Sequence, residues 1–455
     1  MRIAVVGAGI SGLSAAWLLG KRDDVVLYEA EGRLGGHSNT VDVIAPEGRC
    51  PVDTGFIVYN TAAYPNLIAF FETLGVETAP SDMSFAVSLD RGAYEYSGSG
   101  LGGLFGQARN ILRPGHWRMV CEIFRFFREA QDTTSNALAP GATLGQWLAA
   151  RGYSRAFIHG HIAPMAAAIW SAPADEMLDF PFAAFSRFFA NHGLLQAFGR
   201  PAWRTVKGGS RAYVKRIQRE FPGRVSLGDA VVAVKGSATD AVVRTKSGSE
   251  ASYDAVLLAC HADDALSIVS NPGSGMRSLL SAFSYQRNEA VLHTDPSFMP
   301  RRRRLWSSWN YLGRRDDISE QGAADMSVTY WMNRLQPLST TTNYFVTLNP
   351  HQAIAEDACC GRFVYHHPIY DAAALGAQKD LWTLQGQNRL WFAGSYFGYG
   401  FHEDGLQSGL AAAEDLSGRL GGRRGAVQRP WNWDERQSRI SRPIVAVEPA
   451  LEAAV

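Results

Sequence analysis

Glycines at positions 7, 9 and 12, in the run MRIAVVGAGISGLSAAWLLG, have the types and spacing most suggestive of chemistry. The apolar run before them predicts a buried strand, and the run after them a helix. Gly7 permits the tight strand-to-helix turn, Gly9 lets backbone approach a pyrophosphate, and Gly12 lets the helix pack on the strand. The free amides at the helix start would hold the phosphates. A second strand, VVLYE, ends at Glu29, 22 residues after Gly7. A carboxylate there accepts ribose hydroxyls and repels a 2′-phosphate, so the expected ligand is FAD or NAD rather than NADP.

A second glycine-rich loop favours FAD. Gly32-Arg33-Leu34-Gly35-Gly36-His37 follows Glu29 directly. Gly35 and Gly36 would let backbone reach the phosphates, with Arg33 supplying charge and His37 closing the loop. A dinucleotide that runs past the first helix toward a buried flavin needs such a loop; a simple NAD domain does not. The run FAGSYFGYGFHEDGLQSGLAAAEDL repeats the pattern. A short strand (Leu390 to Ala393) leads to Gly394, and a helix is expected from about Glu403-Asp404-Gly405. Gly405 and Gly409 are small enough for close approach. The positive end of that helix can face a flavin carbonyl that gains charge on reduction. With both ends in place, the chain resembles flavoproteins of the FAD-dependent amine oxidase superfamily.

The reacting groups should lie in this last loop: Tyr396, Tyr399, Phe401, His402 and Glu403 are the candidates. His402 is expected either as a base or proton relay or as a structural hydrogen bond. Glu403 and Asp404 could instead cap the helix. His293, in AVLHTDPSF, is weighed as a substrate-facing group against a satisfied core histidine. Many amine oxidases hold a lysine near the flavin; this chain has six lysines. Lys207, in TVKGGS, lies where two glycines suggest close backbone approach, yet sequence alone gives no lysine that role.

These groups must be positioned by a two-domain molecule. The 455 residues leave ample core for a buried cofactor. The fold class expected is α/β: a Rossmann-type, amine oxidase-like FAD domain interleaved with an α+β substrate domain. The FAD domain is assigned to 1–60, 201–270 and 386–420, and the substrate domain to 61–200 and 271–385. Residues 421–455 read as a surface or partner-binding tail. A net charge of +1 argues against nucleic acid, and five scattered cysteines suggest neither disulfides nor a metal site. No apolar run is long enough to span a bilayer, and the N-terminal run lacks a cleavage site, so a cytoplasmic location is expected.

The runs PVDTGFIVYN, Tyr64-Pro65-Asn66, LGVETAPSDMSFAVSLD, AAAIWSAP, SFMPRRRRLWSSWNY and GYGFHEDGL resemble one branch of that superfamily. The branch holds bacterial flavoproteins and the flavoprotein domain fused to plant cyclopropane fatty acid synthases. The resemblance spans about residues 1–418. It implies a flavin enzyme tied to methyl-modified acyl chains, with backbone at Val231 and Val232 flanking the adenine. The resemblance does not extend to the methyltransferase half of the plant fusion, so no methylating activity is expected of these residues. Implied partners are an acyl lipid, a fatty-acid methyltransferase and the inner face of a membrane. The helix GHWRMVCEIFRFFREA reads as a core helix, an acyl-tunnel wall or a docking surface. Arg301-Arg302-Arg303-Arg304 beside Trp306 and Trp309 reads as a solvated turn or an anionic-headgroup contact.

The favoured reading is dehydrogenation of a methylated, unsaturated acyl chain toward a furan fatty acid. Related readings are acyl double-bond isomerisation, amine oxidation and carotenoid-type desaturation. The last is a non-catalytic partner of a methyltransferase.

Overall fold

Short β-branched, apolar runs form a five-stranded, all-parallel sheet. Its strands are β1 (Arg2–Val6), β2 (Asp24–Glu29), β3 (Arg224–Leu227), β4 (Ala255–Leu258) and β5 (Leu390–Phe392), ordered β3–β2–β1–β4–β5. Such runs suit a sheet covered on both faces, and β4 is buried along its whole length. The structure is a computed structural model that describes residues 1–131, 141–170, 174, 176–196, 199–314, 326–422, 425–432, 438 and 440. The end of the AAAIWSAP run and most of the chain beyond 432 lie outside them.

One face of the sheet is covered by α1 (Ile10–Gly20), buried throughout, by α5 (Arg211–Glu220) and by α6 (His402–Leu420). The other face packs on the antiparallel strands Val231–Gly236, Ala241–Thr245 and Glu250–Tyr253. A second, seven-stranded sheet is built from residues 85–97 and 285–368. It is antiparallel except where Trp309–Gly313 runs parallel to Phe85–Leu89. Helices α3 (Pro114–Gln131) and α4 (Phe182–Asn191) cover it, sharing one apolar core with its strands. The chain thus passes repeatedly between the two sheets. No helix among the described residues is long and apolar enough to cross a membrane.

Two regions differ from the sequence reading. In α3, Arg118 pairs with Glu122 and Arg125 with Glu129, at 3.2 and 2.7 Å. Glu122 is nonetheless buried, because it also takes the backbone amide of Ser154. The inner face is His116, Met119, Ile123, Phe126 and Ala130, which leaves Trp117 and Phe124 outside. The stretch beyond 421 is, in its described residues 425–432, a strap rather than a loose tail. Arg429 is 8% exposed, pairs with Glu414 of α6 at 2.7 Å and donates to Asn66 Oδ1 at 2.9 Å. Trp431 packs near Phe70 of α2 (Pro65–Thr73). Composition marked this stretch as polar, but a bidentate guanidinium pair satisfies a buried charge.

Candidate functional site

The glycine turn between β1 and α1 has the geometry its sequence requires. Gly7 has φ +101°, and a Cβ there would lie 2.7 Å from the Ala259 carbonyl oxygen beyond β4. A Cβ on Gly12 would strike the carbonyl of Gly7. Gly9 differs: nothing lies within 4 Å of a Cβ built there. It is the N-cap of α1, with no side-chain cap and no acid in the first turn. The helix start therefore presents free amides toward open space, a cradle for phosphate.

The second glycine loop rests on the first. Gly35 donates to the Ala8 carbonyl at 2.8 Å, and a Cβ on Gly36 would lie 3.2 Å from Gly9 Cα. Both have positive φ. Arg33 donates to the Gly36 carbonyl at 2.8 Å, which fixes the loop. Glu29 sits at the end of β2 and accepts from the amides of Ala8 and Glu31, at 2.8 and 2.9 Å. A bulge falls between Val231 and Ala233, taking Val232 out of the ladder and leaving it 42% exposed. A bulge exposes backbone that a ligand can meet.

Helix α6 brings the far end of the sequence to the same place. A Cβ on Gly405 would lie 2.8 Å from Ile10 Cγ2, and one on Gly409 would strike the Ser11 carbonyl. The helices run side by side in the same direction, so their N-termini converge. Gly394, after β5, is locked by Ser408: its amide donates to Oγ at 2.9 Å.

The loop before α6 holds the candidate reacting groups in unlike environments. The His402 ring stacks on Phe56 at 3.8 Å, and its Nε2 lies 2.8 Å from the Tyr213 hydroxyl. Burial pushes its pKa down to about 3, so the ring is neutral and held in place. Glu403 is fully buried and takes the amides of Asn66 and Leu67 at 3.0 and 2.9 Å, plus the Asn66 and Gln407 side chains. It caps α2 and is not placed to act as a base: its oxygens are already committed. Asp404 accepts from the Phe401 amide at 2.9 Å. Tyr399 and Phe401 turn toward the second sheet's core, where Phe401 stacks on Phe188 at 4.7 Å.

His293 lies apart from this loop. Both ring nitrogens are engaged, by Thr347 Oγ1 at 2.7 Å and the Asp295 amide at 3.1 Å, and Phe298 and Phe345 pack beside it. It is a satisfied core histidine. Lys207 is exposed and pairs with Glu77 at 3.2 Å. All six lysines are exposed.

Sequence reasoning missed a cluster on the other side of the second glycine loop. The His37 ring lies 5.1 Å from Tyr365 and 5.4 Å from His367. Asn288 lies 3.0 Å from His367 Nδ1 and accepts from Asn349 at 2.7 Å. Burial, then the neighbouring histidines, hold His37 well below its ordinary pKa, and burial takes His367 to about 4. Nε2 of His37 is buried without a partner. Such an orphan calls for a ligand or water. With the open Gly9 cradle, it fits FAD. The His366-His367 doublet was the available signal, but only the β-register of 359–368 on 285–293 brings it to His37. Asp53 was missed too. It is buried under Thr40, Ser210 and Gln336, and burial raises its pKa to about 6.

No curated protein matches the sequence. Solved structures do match the fold. A fatty acid isomerase from P. acnes that produces CLA superposes with TM-score 0.65 at 12% identity, over 92% of this chain and 98% of that one. A cyclohexylamine oxidase from Brevibacterium oxydans IH-35A gives 0.66 at 16%, over 92% and 99%. A putrescine oxidase bound to putrescine gives 0.64 at 16%, over 91% and 99%. Residues 10–345 match the family of flavin-containing amine oxidoreductases. With the two glycine loops, the paired helix starts and that match together, the chain belongs to this family and uses FAD.

Proposed function

We propose that the protein is an FAD-dependent oxidoreductase of fatty acyl chains, one that dehydrogenates a methylated or unsaturated chain of a lipid. The observation that carries the reading is the wall facing the α6 loop. Trp170, Phe185, Phe188 and Phe401 follow one another ring to ring, with centroids 5.7, 4.7 and 4.7 Å apart across Trp170–Phe185, Trp170–Phe188 and Phe188–Phe401. The acids of that loop, Glu403 and Asp404, serve as caps, and every lysine is exposed. A small dication would lack a partner there, whereas an apolar chain would be desolvated. The sequence resemblance to the flavoprotein domain of plant cyclopropane fatty acid synthases adds support.

When bound, FAD supplies a hydride acceptor. The residues do the rest. The paired helix starts stabilise negative charge, and neutral His402, held by Tyr213, orients the loop. The aromatic wall excludes water. Removing an allylic hydride also requires a proton to leave the neighbouring carbon. Isomerisation, in which the hydride returns to the chain, is the second reading; the P. acnes isomerase of like fold favours it.

The test is anaerobic addition of phospholipid bearing methylated monoenes. Bleaching of flavin absorbance near ~450 nm with formation of a conjugated diene is the expected result. A shifted double bond without bleaching selects isomerisation. Unchanged lipid alongside rapid turnover of a polyamine overturns both.

A further inference from the structure

Among the described residues, five of the ten exposed large hydrophobic side chains fall in one stretch, residues 101–124. They are Leu101, Ile111, Leu112, Trp117 and Phe124, and Leu112 is 84% exposed. Trp117 joins two parts of the stretch. Trp117 donates to the Ile111 carbonyl at 2.9 Å, and its ring lies 4.6 Å from Phe105, one turn after Leu101. Phe124 stands seven residues beyond Trp117, on the same side of α3. Helix α3 therefore has two apolar faces. The inner one belongs to the core that also contacts Tyr399 and Phe401; the outer one faces solvent.

A basic rim adjoins this patch. Glu95, buried in the strand Tyr94–Ser97, ties the two together. Its carbonyl takes the Asn110 side chain at 2.9 Å, its amide is capped by Gln107 at 2.8 Å, and its carboxylate takes Arg302 at 2.6 Å. Arg302 is thereby used internally, leaving Arg301, Arg303 and Arg304 exposed. Arg109 and Arg128 are exposed on the patch side, and none of these five forms an ion pair with the described residues. Arg303 lies over the Trp306 ring at 4.7 Å.

We propose that this surface docks on an anionic phospholipid bilayer, with Leu101, Ile111, Leu112, Trp117 and Phe124 entering the headgroup–acyl boundary and the arginines meeting lipid phosphates. Solvent-facing apolar side chains ringed by one sign of charge match that boundary in both polarity and charge. A soluble partner would need acids set around an apolar pocket; a bilayer presents both everywhere. The inference deepens the acyl-chain reading and takes its purpose from it, but it is measured without turnover.

The experiment is sedimentation of the flavin-loaded protein with vesicles of phosphatidylcholine alone or mixed with phosphatidylglycerol. Binding to the mixed vesicles, weakened by salt, is expected. Leu112→Glu should lower partitioning about tenfold or more. Arg303→Glu with Arg304→Glu should abolish the preference for anionic lipid, with flavin absorbance unchanged in both variants. No binding to mixed vesicles at low salt, or equal binding by all variants, overturns the proposal. So does a dimer that Leu112→Glu dissociates, which gives the patch to a second copy. Binding without acyl turnover leaves docking standing and removes the substrate reading; turnover of a dispersed acyl substrate without binding does the reverse.

Discussion

Buried histidines set the acid limit of this protein. Burial holds His161 and His402 at about 3, and His293 and His367 at about 4. An unfolded histidine titrates near ~6.5. Below that pH the unfolded chain binds protons that the native state refuses, so stability is whole above ~6.5 and drains away as pH falls toward 4 and 3. Asp53, raised to about 6, works the other way between ~4 and 6, where the native state holds its proton. Each unmatched proton is worth about 1.4 kcal/mol per pH unit, so the histidines outweigh the single aspartate. The urea midpoint should fall steadily from pH 7 to pH 5, and His293→Phe should make that slope shallower. A midpoint independent of pH over this range would contradict it.

Elements were legible where physics is local. The turn at Gly7, the acid ending β2 and the helix from His402 follow from glycine spacing and apolar runs within about thirty residues. What Glu403 does was not legible as a commitment, since its partners Asn66 and Leu67 lie 337 and 336 residues away. The union of His37 with His367 likewise depends on strand register, and the strap at Arg429 depends on Asn66 of α2 and Glu414 of α6 being brought together. The contact between α1 and α6 gives the sharpest check. Gly409→Ala forces a methyl into the Ser11 carbonyl. Overpacking of that kind costs about 1–3 kcal/mol. A lowered denaturation midpoint together with weaker flavin retention is expected, because the two helix starts must part. Unaltered retention would show that the helix starts are set independently of this contact.

At the scale of the whole molecule, Arg429 holds parts of the chain that are distant in sequence. Its side chain is 5% exposed and that of Glu414 is 13% exposed. Arg429→Ala strands a buried carboxylate and should cost about 3–5 kcal/mol in chemical denaturation. Pairing Arg429→Met with Glu414→Leu should recover most of it, since an apolar pair removes the uncompensated charge. If the single variant unfolds like the parent, the strap is ornamental.

The central sheet has a consequence for how the protein is made. Its middle strand, β1, is synthesised first, while β5 is residues 390–392 and the second helix start is His402. During translation the first glycine loop therefore leaves the ribosome long before the surfaces that complete it. Until some four hundred residues have been polymerised, the nascent chain has half a flavin cradle and unpaired flanks on a parallel sheet, which is the kind of intermediate that chaperones shelter. Cofactor capture must then be among the last events of biogenesis, so flavin supply would govern how much chain matures rather than how much is begun.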